Sequence, residues 1–209
     1  RGEEESSNTK TSNVSVDKQN YVELEQKYEE TFTITDEQDK VNKQKIVNKE
    51  YVYQLSVDIK KLENELPNST DNSELEEEIR ALYQLKKDKE EQIKNQNGRL
   101  YTIAERKAAK DISTESYREI EEKYKSTVYS QKPDVQLLDS LSQLNSEFIA
   151  VSDNDILALN EKLASSKDPI EQEVIKKSLV KVQETRDKRE QEQKDISAIK
   201  EIEVVFSND

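Results

Sequence analysis

Val47-Asn48-Lys49-Glu50-Tyr51-Val52-Tyr53-Gln54-Leu55-Ser56-Val57-Asp58-Ile59-Lys60-Lys61-Leu62-Glu63-Asn64-Glu65-Leu66 sets Val47, Tyr51, Leu55, Ile59, Leu62 and Leu66 at steps of four or three, which puts them on one helix face. Pro67 cannot continue that helix. Asn68 to Ser73 is turn chemistry, and Ser73 with Glu76 forms a capping signature for a return helix. Leu75, Ile79 and Leu82 then resume the stripe, so residues 35–97 predict two long helices joined as an antiparallel hairpin. Thr35 with Gln38 reads as the box that opens it, and Asn97-Gly98 as a left-handed stop.

Upstream, residues 1–15 hold a single apolar side chain among Ser, Thr and Asn, and read as a disordered tail or linker. Tyr21, Leu24, Tyr28 and Phe32 fit a helix stripe, while Val22 and Leu24 also fit alternation. Thr31-Phe32-Thr33-Ile34-Thr35 is β-branched or aromatic throughout, as is Val204-Val205-Phe206. The expectation is a minor β-like element in which these two segments meet, since an isolated strand needs a partner.

Downstream, Leu100, Ile103, Ala104 and Ala108 mark a shorter helix, with Tyr117, Ile120, Tyr124 and Val128 a second, opened by Ser113 or Thr114. Leu137, Leu141, Leu144, Phe148 and Val151 form a two-heptad stripe. Ser152 with Asp155 reads as the box opening a further helix through Ile156, Leu159 and Leu163, and Asp168-Pro169 restarts the chain once more. Gln183 to Asp195 has no apolar residue; it reads as a solvated helix bridging two packed ends or as an arm toward a partner. Leu62 to Gln92 is echoed near Leu159 to Gln191: a Leu-x-x-x-Leu helix end, a polar break, a capped restart and a charged run. Duplication and convergence of two similar hairpins both account for the echo.

Composition decides what chemistry is available. With two glycines and three prolines the chain lacks the tight turns of a sandwich, barrel or doubly wound sheet, and two glycines cannot make a dinucleotide fingerprint. No histidine or cysteine occurs, which removes Ser–His and Cys–His nucleophiles and His- or Cys-ligated zinc. A formal charge of −13 disfavours phosphate backbones, so no nucleic-acid partner is expected. No apolar run is long enough for direct membrane insertion. Asp153-Asn154-Asp155 opens like a calcium loop but places Leu157 at the next ligand position. Asn13-Val14-Ser15 and Asn68-Ser69-Thr70 match the glycosylation acceptor pattern. An Arg1 start and the lack of any methionine suggest a piece of a longer polypeptide.

The reading is therefore an all-α, elongated bundle of long antiparallel helical hairpins, coiled-coil-like. Residues 16–209 form one helical domain or two related hairpins, 35–97 and 153–203, joined by shorter helices over 99–151. The expected function is a non-enzymatic structural spacer or protein–protein interaction module, with a protein partner or self-association and with no cofactor, metal or catalytic residue. The alternative is a divalent-cation-binding or carboxylate-based enzyme domain with its site between helices. Tyr51, Tyr53, Tyr83, Tyr117, Tyr124 and Tyr129 are the candidate interaction surface, because a phenol packs in a seam while its hydroxyl reaches a neighbour.

Overall fold

A computed structural model describes residues 16–68, 72–130 and 134–206, the side chains of 203–206 excepted. Among the described residues the chain forms six helices and no strand: α1 (Lys18–Glu30), α2 (Glu37–Glu65), α3 (Ser73–Ala109), α4 (Thr114–Val128), α5 (Asp134–Ser165) and α6 (Pro169–Phe206). The all-α bundle of the sequence reading is present. The tail expected over 1–15 lies outside the described residues, as do Asn13-Val14-Ser15 and the Ser69-Thr70 half of the second acceptor pattern. The chain divides into two compact units, residues 1–100 and 101–209, with α3 contributing to both.

In the first unit the deciding stripe faces inward as its spacing requires. Val47, Tyr51, Leu55 and Leu24 make one buried cluster against Leu82 and Leu85; Leu62, Ile79 and Val16 make a second. Leu55 and Leu62 are wholly excluded from solvent, each stabilising the fold by about 2 kcal/mol. Asn48 meets Gln92, and Glu63 meets Tyr83, so α2 and α3 run antiparallel. Helix α1 lies across this hairpin, antiparallel to α2 through Tyr21–Asp58 and Lys27–Glu50.

The second unit is a longer version of the same three-helix plan. Arg186 reaches Asp153, Gln193 reaches Ser142 and Lys200 reaches Asp139, so α5 and α6 are antiparallel. Leu159, Ile175 and Val182 fill one end of the seam, and Ile120, Leu144 and Phe148 fill the region under α4. Ala104 and Ala108, at the end of α3, pack on Val174.

Several local expectations are corrected. The β-like element is absent: Thr31–Thr33 forms a 3-10 turn and Val204–Phe206 continues α6. The threonine hydroxyls explain the first case, since Thr31 donates to the Tyr28 carbonyl (2.6 Å) and Thr33 to that of Glu30 (2.8 Å), extending α1 by one turn. Asp36, not Thr35, caps α2, accepting from the Asp39 amide at 2.7 Å. Gly98 does not stop a helix; it sits inside α3 without a positive φ, because Leu100, Ile103 and Ala104 beyond it are buried. Ser152 and Asp155 do not open a helix either. They lie buried in the middle of α5, where the Ser152 hydroxyl donates to the Phe148 carbonyl. Pro67 and Asp168-Pro169 behave as read: α2 ends at Glu65, and α6 begins at Pro169 with the Ile170 amide donating to Asp168.

Candidate functional site

Each unit contains one polar lock, built where its short helix crosses its two long ones. In α1, Tyr21, Leu24, Glu25 and Tyr28 follow the helical repeat and share a face. Tyr21 donates to Asp58 of α2 at 2.5 Å, and its ring lies 5.3 Å from that of Tyr51. Lys89 of α3 is buried between the rings of Tyr51 (4.3 Å) and Tyr28 (5.6 Å), with its ammonium on Glu25 at 3.0 Å.

In α4, Tyr117, Ile120, Glu121 and Tyr124 repeat that spacing. Tyr117 donates to Asp155 of α5 at 2.7 Å, beside the Ser113 amide (2.9 Å) and hydroxyl (2.6 Å) on the same carboxylate. Asp155 thereby serves the N-terminus of α4 from a neighbouring helix. Arg189 of α6 lies over the rings of Tyr124 (4.5 Å) and Phe148 (5.0 Å), paired with Glu121 and with Glu192 at 3.0 Å. The all-polar stretch of α6 is thus neither a projecting arm nor merely solvated; Arg186, Arg189 and Gln193 pack it onto its neighbours.

These surroundings hold the phenols in their neutral, donating form. Burial raises Tyr21 well above the ordinary tyrosine value, and Asp58 adds to it. Burial with Glu25 pushes Tyr51 up to about 12. Burial also raises Tyr117, outweighing the Ser152 contact that lowers it, and Asp155 adds further. A phenol fixed on a carboxylate is a clamp between helices.

The six tyrosines singled out by sequence, three in each unit, differ in exposure. Tyr51 is buried, and Tyr117 and Tyr124 are half-buried in the lock. Tyr83 is exposed and donates to Glu63, while Tyr53 and Tyr129 stand exposed. Sequence reading missed Tyr21, Tyr28, Asp58, Lys89, Asp155 and Arg189. The available signal was the octapeptide Tyr21-Val22-Glu23-Leu24-Glu25-Gln26-Lys27-Tyr28, which recurs as Tyr117-Arg118-Glu119-Ile120-Glu121-Glu122-Lys123-Tyr124. Asn48, Tyr51, Asp58 and Leu62 likewise recur in order as Asn145, Phe148, Asp155 and Leu159.

Among the described residues no group of three or more acidic side chains is placed to hold a metal ion, and no helix is long and apolar enough to cross a membrane. Comparison with protein-family models, with curated proteins and with solved structures found no match.

Proposed function

We propose that the chain is a duplicated three-helix unit acting as a non-enzymatic structural scaffold or protein-interaction module. The observation that carries this reading is the use of the interior ionisable groups. Asp58, Lys89, Asp155 and Arg189 are each closed by partners on neighbouring helices, at corresponding positions of the two units. Chemistry of that kind specifies which helices pair and in what register.

Calorimetric titration of the full chain with Ca²⁺, Mg²⁺ and Mn²⁺, repeated on Asp58→Asn and Asp155→Asn, tests it. The expected outcome is no saturable heat in any of the three proteins and a lowered melting temperature in both variants. Saturable heat in the parent that either variant loses would replace the scaffold with a cation site between helices.

A further inference from the structure

The only glycine and the only asparagines of α3 stand together, as Asn95, Asn97 and Gly98, and all three are exposed. Each is a weak helix former, with glycine the weakest short of proline. A glycine inside a helix ordinarily serves a positive φ or the close approach of another group. Gly98 serves neither: its φ is not positive, and a Cβ added there would meet nothing within 4 Å. The position accepts alanine, the best helix former, at no steric cost.

What distinguishes this turn is its place in the chain, because the boundary between the two compact units falls after Leu100. On the near side Gln96 donates to the Tyr28 hydroxyl at 3.5 Å and Arg99 pairs with Glu37 at 3.8 Å, both within the first unit. Beyond it the Tyr101 hydroxyl accepts from Lys177 at 2.5 Å, and Ala104 and Ala108 pack on Val174, all within the second. The helix therefore passes from one set of tertiary partners to the other through the turn whose backbone is least disposed to be helical. A helix opens first where its local stability is lowest, and sharp bends collect at glycine. We propose that α3 opens and bends at Asn97-Gly98, a hinge on which the two units change orientation while each keeps its lock closed.

The test uses the full chain, whose lack of cysteine lets labels be placed at chosen sites. Spin labels on Lys49→Cys and Lys181→Cys, one exposed site in each unit, report the distance distribution across the joint, and Glu29→Cys with Lys49→Cys reports it within the first unit. The expected distribution across the joint is broader than that within the unit, and Gly98→Ala, which fits the open helical position, narrows it. By hydrogen exchange the amides of Gly98 to Thr102 open faster than those of Lys86 to Gln92, and Gly98→Ala slows them about fivefold. A distribution across the joint as narrow as that within the unit overturns the proposal. So does a broad one that Gly98→Ala leaves unchanged, or exchange at these amides no faster than in the preceding turns. None of these outcomes bears on the scaffold reading, which falls only on a saturable cation heat lost in the aspartate variants.

Discussion

The two units fasten the same three-helix plan with different cations. Lys89 is a compact charge that meets one carboxylate, Glu25, and reaches α2 only through the ring of Tyr51. Arg189 has a planar fork, and it engages Glu121 of α4, Asn145 of α5 at 3.4 Å and Glu192 of its own helix while stacking on two rings. The carboxylates differ in the same sense: Asp58 accepts from Tyr21 and Gln54, whereas Asp155 accepts three bonds that include a backbone amide. The second lock is the more heavily connected, and it sits where the seam is least apolar. Between Val182 and Ile196, α6 offers no hydrophobic side chain, so directional contacts must supply what burial does not.

That contrast can be broken by substitution. Asp155→Ala should have the largest effect, costing about 3 kcal/mol because it orphans three donors at a buried site, against about 2 kcal/mol for Asp58→Ala. Urea unfolding monitored by circular dichroism gives both values, and equal losses would remove the asymmetry. Next, Arg189→Ala should cost about 2–3 kcal/mol and Lys89→Ala about 1–2 kcal/mol, the half-exposed carboxylate partners keeping both below a fully buried pair. Raised pH is the mildest lever. The folded tyrosines Tyr21, Tyr51 and Tyr117 hold their protons above the ordinary value, so an unfolded chain releases them first. Their contribution is complete below about pH 10 and is lost as pH rises through the folded values, about 12 for Tyr51. A melting temperature that stays flat across that alkaline window would remove this part of the comparison.

The fold was legible where one residue's local effect is large. Pro67 and Pro169 forbid alternatives, and the steps from Val47 to Leu66 admit one face. It was misread where a local preference of modest size met tertiary packing. Gly98 weakens a helix by about 1 kcal/mol, less than the burial of Leu100, Ile103 and Ala104 returns. Ser152 and Asp155 look like a cap from within a four-residue window, but Asp155 caps α4, a helix that precedes it by some forty positions in the chain, the separation between Ser113 and Asp155 being 42. The lock was invisible for the same reason, since none of the partners of Tyr21, Lys89 or Arg189 that cross helices is local. The recurrence of Tyr21–Tyr28 at Tyr117–Tyr124, and of Asn48, Tyr51, Asp58 and Leu62 at Asn145, Phe148, Asp155 and Leu159, carried it in one dimension.

The chain has no tryptophan, so its near-ultraviolet emission comes from tyrosine alone. An excited phenol is a far stronger acid than one in the ground state, and a carboxylate already hydrogen-bonded to it accepts the proton and quenches the light. Tyr21 on Asp58 and Tyr117 on Asp155 are therefore dark while the helices are joined and brighten when they part. The two locks together thus tie the chain's tyrosine emission to whether the helices are joined, with no label attached.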